Sequence, residues 1–152
     1  LDPVKVEAVM HELVSRALFE EQTKGLERIA RMRGWIVFKV EYPIIDVAFK
    51  GVNKDIRIRM VCNDWNDLPP SIEFLTLSGD YLTTIRTDPK GVFNASQHPS
   101  TGRPFICMVG SREYHTHSSH VNDHWSNHNG KPGYDLGGIL TQVWNAWEKI
   151  QG

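Results

Sequence analysis

The sequence predicts an α+β domain whose helices stand apart from an antiparallel sheet. Three observations carry the prediction: a helical apolar period near the N-terminus, two-residue alternation after Trp35, and a second helical stripe at the C-terminus. A long stretch punctuated by Gly and Pro separates the alternating runs from the last helix. With 152 residues, 40% hydrophobic and 23% charged, the chain suits a single domain over 1–152, and it has no internal repeat.

Asp2-Pro3 reads as an N-cap followed by proline in the first turn, where the missing N–H costs nothing. Val6, Val9, Leu13 and Ala17 recur at helical spacing, and Leu26, Ile29 and Ala30 continue the stripe past Gly25. One long helix to about Arg31 is expected, with a break at Gly25, packing against a sheet. Ile36, Phe38, Val40 and Tyr42 then alternate with Val37, Lys39 and Glu41, and Ile56, Ile58 and Met60 alternate with Arg57 and Arg59. Residues 45–49 lie between these runs, and 71–75 follow the turn-forming Asp67-Leu68-Pro69-Pro70, so a four-stranded antiparallel meander is expected. Residues 78–104 hold Gly79, Asp88-Pro89, Gly91, Pro99, Gly102 and Pro104. A connection of that length is a candidate active-face loop, with room for a small element at 81–86. The C-terminal helix opens at an Asp135 cap and carries Leu136, Ile139, Leu140, Val143, Trp144, Trp147 and Ile150, a stripe broad enough to cover the core rather than form a dimer seam.

Lys and Arg total 17 against 18 for Asp and Glu, a formal charge of -1, which argues against a surface built for nucleic acid or anionic lipid. Arg57, Arg59 and Arg86 are scattered over strand and loop positions, and no nucleic-acid partner is expected. No run approaches the roughly 18 apolar residues of a membrane span, so no membrane partner is expected either. The opening LDPVKVEAVMHEL lacks a basic-then-apolar layout, and a cytoplasmic location is the expectation. The start at Leu1 rather than Met is what a trimmed or excised segment would have. Two cysteines are too few for a disulfide framework, and Cys62 and Cys107 are expected as free thiols.

Five of seven histidines fall within residues 115–128, where even scatter would give about 0.6. From Cys107 the chain runs through Glu113, His115, His117, His120, Asp123, His124 and His128, donor types that suit zinc. No CxxC or HExxH occurs, and His120 and His124 share a face only on a helix, His115 and His117 only on a strand. The plain alternative is a hydrated loop whose imidazoles bond to backbone or water. Cys107, within Phe105-Ile106-Cys107-Met108-Val109, reads equally as a buried hydrophobe or, following 98–104, as a thiol exposed at a groove. Cys62 ends an alternating run and reads as structural.

In order and motif the chain resembles the ubiquitin-conjugating enzyme fold over most of its length. Residues 56–74, with Pro69-Pro70, look like that family's third strand, proline turn and following strand. His98-Pro99-Ser100 looks like its His-Pro-Asn motif, Gly102 to Cys107 like the approach to its active cysteine, and Trp125-Ser126 like its tryptophan-serine. Ser100 stands where the family has an asparagine credited with supporting the oxyanion or the loop, and the histidine-rich stretch replaces an ordinary turn. The chain is more similar to bacterial relatives from ubiquitin-like conjugation operons, in particular the family described by a metal-binding set of Cys, Glu, His and His. Cys107, Glu113, His115 and His117 match that set, with His120 or His124 able to replace either imidazole.

The resemblance implies transthiolation. The Cys107 thiolate takes a ubiquitin-like protein from an activating enzyme as a thioester and passes it to a target protein. His98, His115 and His117 are then candidates to stabilise the thiolate, Ser100 to bind the oxyanion, and Glu113 or a histidine to take the proton from the acceptor. A thiolate in a closed zinc site is a blunted nucleophile, so no cofactor is required and zinc is optional, held by the histidines without Cys107. Two alternatives remain: a zinc hydrolase or metal-binding domain using Glu113, His115, His117 and His120, and a non-catalytic module that only holds a ubiquitin-like protein.

Overall fold

The computed structural model describes residues 2–151. Helix α1 runs Pro3–Thr23, capped by Asp2 Oδ1 accepting from the Val4 N–H at 3.0 Å, and α2 runs Leu26–Arg33. The expected break at Gly25 is therefore real. Gly34, left-handed at φ 72°, closes α2 and turns the chain into the sheet.

Strands β1 (Ile36–Glu41), β2 (Ile44–Phe49), β3 (Ile56–Val61) and β4 (Ser71–Leu75) pair antiparallel in sequence order, which is the expected meander. A bulge interrupts β1, where Val37 faces Val47 and Lys39 faces Asp46 with Phe38 extra between them. Phe38 is thereby thrown onto the outer face, 43% exposed, under the Arg57 guanidinium at 4.0 Å. That face carries ion pairs: Arg57 binds both oxygens of the buried Asp46 at 2.8 and 2.7 Å, and Arg59 binds Glu73 at 2.9 Å.

The inner face is apolar. Ile45, Val47, Phe49, Ile58, Met60, Ile72 and Phe74 are buried against α4 (Leu136–Gln151), whose Ile139, Leu140, Val143 and Trp147 point inward as the stripe required. Asp135 caps α4 through its Oδ1, which accepts from the Gly138 N–H at 2.8 Å. Between β4 and α4 lie the two-residue strands β5 (Phe93–Asn94) and β6 (Phe105–Ile106), the short helix α3 (Arg112–Thr116) and a single 3₁₀ turn at Trp125–Asn127. Residues 81–86 form no helix or strand; Tyr81 makes one bridge to Leu75, and the Leu82 N–H bonds the Phe74 carbonyl.

The expected packing face of α1 is corrected by the structure. Val6, Val9 and Leu13 are 43%, 57% and 53% exposed and Ala17 is exposed, whereas Ser15, Phe19 and Thr23 form the buried stripe. The N-terminal half of the helix leaves Val6, Val9 and Leu13 in solvent. It is tied down by His11, whose Nε2 pairs with Asp67 and whose Nδ1 lies 3.6 Å from Asp64 in the loop after β3.

Candidate functional site

The site is built on the β5–β6 ribbon. Phe93 pairs with Ile106 and Asn94 with Phe105, and the Cys107 N–H continues the ladder to the Val92 carbonyl at 2.7 Å. Side chains alternate across a strand and opposed residues share a face, so Phe93 and Ile106 face the core while Val92, Asn94, Phe105 and Cys107 share the other side. Phe93 and Ile106 are fully buried; Cys107 is half-buried.

After Cys107 the chain reverses at Gly110, which has φ 102° and could not carry a side chain unstrained, since a Cβ there would lie 3.2 Å from Ile139 Cγ1. Ser111 caps α3 by accepting from the Tyr114 N–H at 3.1 Å, and its hydroxyl donates to the Ile106 carbonyl at 2.7 Å. Helix α3 is thus anchored to the end of β6, and the direction of its turn decides which side chains reach the site.

Glu113 is turned away from the site. Its carboxyl is buried against β4, accepting from the Ile72 N–H at 2.6 Å and the Ser71 hydroxyl at 3.1 Å. Arg112 beside it donates to the Pro69 carbonyl at 3.1 Å, so the pair clamps α3 to the proline turn. Burial pushes the Glu113 carboxyl up to about 7, against the hydrogen bonds that lower it. The native state then holds a proton that the unfolded chain, with its carboxyl near 4.5, has lost, so this group's stabilisation declines as pH rises from about 4.5 through 7. Glu113→Gln keeps an acceptor for Ile72 and a donor for Ser71 without a titration. Wild type is expected to lose about 2.5 kcal/mol more than the variant between pH 5 and 8 in urea unfolding; parallel curves would refute this.

The histidines divide between structure and site. His98 is buried, with Nδ1 accepting from the Ser100 N–H at 3.0 Å and Nε2 donating to the Glu113 carbonyl at 2.8 Å. Both nitrogens are spent in holding the 95–104 loop. Ser100 is exposed at the tip of that loop, beyond the bond from the His98 N–H to the Arg103 carbonyl and at the opposite end of the ribbon from Cys107. His115 is also spent: Nδ1 donates to the Asp123 carbonyl at 2.7 Å, Nε2 accepts from the Gly110 N–H at 3.2 Å, and burial holds its pKa below the usual imidazole value. His117 stacks on Phe105, with its Nδ1 accepting from the Ser119 N–H at 3.1 Å. His124 is exposed on the surface.

His120 is the imidazole that meets the thiol, its Nε2 lying 3.8 Å from Cys107 Sγ. The ring stacks on Tyr114 with centroids 4.1 Å apart. Tyr114 in turn donates to Asp123 Oδ2 at 2.8 Å, and His128 Nε2 bonds Asp123 Oδ1 at 2.7 Å. Hydrogen bonds from His128 and then Tyr114 hold the Asp123 carboxyl below its usual range, while burial and then Asp123 push the Tyr114 phenol up to about 12. Tyr114 is therefore a neutral platform that fixes the imidazole plane. Partial burial raises the Cys107 thiol above its ordinary value, and the neighbouring Asn94 side chain pulls it partly back. The resting thiol is protonated at neutral pH and needs a base, and His120 is the base within reach.

The expected zinc set does not fit this arrangement. Cys107, Glu113, His115 and His117 point to four different partners, and among the described residues no three His, Cys, Asp or Glu side chains are grouped to hold a metal ion. What the residues do assemble is a thiol, an imidazole and an amide. Sequence reasoning named His120 only as a metal ligand and missed Asn94 and Tyr114. The signal for Asn94 lay in pairing Val92-Phe93-Asn94 against Phe105-Ile106-Cys107, which sets it diagonally across from the thiol.

The model of the Y4jH-like family, described as the Y4jH family, matches residues 85–149 and so spans every residue of this site. No curated protein matches the chain.

Proposed function

We propose that the protein is a thioester carrier of a ubiquitin-like conjugation pathway, built on a divergent ubiquitin-conjugating-enzyme-like fold. The observation that carries this reading is the approach of His120 Nε2 to the half-buried Cys107 thiol at 3.8 Å. Support also comes from the order of helix, meander, ribbon and helix, and from the proline turn clamped beneath the site by Arg112 and Glu113.

In the proposed step His120 accepts the Cys107 proton as sulfur attacks the carbonyl of a thioester joining a ubiquitin-like C-terminus to an activating enzyme. The tetrahedral adduct collapses with loss of the activating enzyme's thiolate, which takes up a proton, leaving a new thioester on Cys107. One thioester replaces another, so no external energy source is consumed. A target amine then attacks the same carbonyl, forming an amide and returning the thiol.

The test is intact-protein mass spectrometry without reductant, after incubation with a candidate activating enzyme, its ubiquitin-like protein and ATP. A one-to-one adduct of the partner's mass, released by excess thiol, is expected. A chain that stays unmodified while the activating enzyme is charged would overturn the proposal.

A further inference from the structure

Acyl transfer to a thiol places negative charge on the former carbonyl oxygen, and a site that accelerates it holds a donor beside the nucleophile before the reaction begins. Ser100 lies at the far tip of the ribbon and spends its N–H on His98, so its hydroxyl is not beside the thiol. Asn94 shares the ribbon face with Cys107 and sits diagonally across from it, close enough for its side chain to hydrogen-bond the thiol. Its orientation is determined by chemistry: Asn94 Oδ1 accepts from both the N–H and the hydroxyl of Ser96. An N–H donor requires an oxygen opposite it, so the Nδ2 end of the amide is the end left for the thiol side. The amide is held by a local turn and need not reorganise during the reaction.

We infer that Asn94 is a catalytic residue whose side-chain Nδ2–H donates to the carbonyl oxygen of an acyl group being transferred to Cys107. This rests on the thioester-carrier reading. As sulfur adds to the carbonyl, the C=O π pair moves to oxygen and the Asn94 hydrogen bond shortens onto it; when the C=O re-forms, the leaving thiolate departs and the bond relaxes. Asn94 transfers no proton. His120 receives the thiol proton on the other side of sulfur, so amide and imidazole divide the work between oxygen and sulfur.

The experiment compares two reactions of one thiol in the full-length chain. Acylation by the benzyl thioester of N-acetyl-glycylglycine develops an oxyanion, whereas alkylation by iodoacetamide does not. Both rates are followed by intact mass at one pH for wild type, Asn94→Ala and the near-isosteric Asn94→Asp. Acylation is expected to fall about a hundredfold further than alkylation in Asn94→Ala, and further still in Asn94→Asp, alkylation itself slowing only as the thiol loses the amide's pull. Equal losses in both reactions would make Asn94 a residue that acts on the thiol or the fold, and unchanged acylation would remove it from the reaction; either overturns the inference while leaving the carrier reading intact. A wild-type thiol that alkylates but takes no acyl group overturns the carrier reading and this inference together.

Discussion

Cys107→Ala is expected to abolish the thiol-labile adduct completely, although the variant still carries Cys62. The two thiols differ in setting. Cys62 is fully buried at the end of β3, its N–H bonded to the Pro43 carbonyl, and burial raises its thiol far above the range in which a thiolate forms. It reacts only when the core opens, on the order of a thousandfold more slowly than an accessible thiol. Cys107 is half-buried at the end of the ribbon, with an imidazole at 3.8 Å. Iodoacetamide is therefore expected to add one label to the native chain and two after denaturation, and Cys107→Ala should accept none while folded. The substitution removes one partly exposed sulfur, and the unfolding free energy should change by under about 1 kcal/mol. An adduct that persists in Cys107→Ala would move the chemistry elsewhere and sink the carrier reading.

The sheet was legible because its physics is local. Alternation over 36–61 and the Pro69-Pro70 turn give four strands whose short connections permit only antiparallel neighbours, and the Asp135 cap and its stripe give α4. Helix α1 was legible as a helix but not in its contacts. Periodicity gives an apolar face relative to the helix axis, and here tertiary placement buries the Ser15, Phe19, Thr23 stripe while Val6, Val9 and Leu13 stay in solvent. The β5–β6 ribbon was missed because two residues per strand offer no period to detect, and with it went the pairing that sets Asn94 diagonally across from Cys107. The histidine segment failed differently. Composition counts donors, whereas direction is set by turns: the reversal at Gly110 and the Ser111 cap aim Glu113 into β4 and Tyr114 toward the thiol. A set that resembles zinc ligands in a line of text is dispersed by that one change of direction.

His120→Gln is the second substitution expected to act strongly. The Cys107 thiol is raised by burial, so at neutral pH it is an S–H that reacts only as fast as it can give up its proton. His120 Nε2 is the acceptor 3.8 Å from it, and the stacked Tyr114 ring, itself anchored to Asp123, holds the imidazole there. Glutamine fills similar space and offers a carbonyl oxygen but cannot hold the proton. Alkylation and acylation at pH 7 should both fall about a hundredfold, the usual scale of a lost general base. A change in pH dependence separates this from a loss of packing. Wild-type reactivity should persist toward neutral pH, whereas the variant's should rise only as the thiol, raised by burial, ionises on the alkaline side. His124→Gln, at an exposed position, should leave both rate and profile unchanged. If His120→Gln slows the reaction without moving the profile, His120 only positions the thiol, and the base is a group brought by the partner.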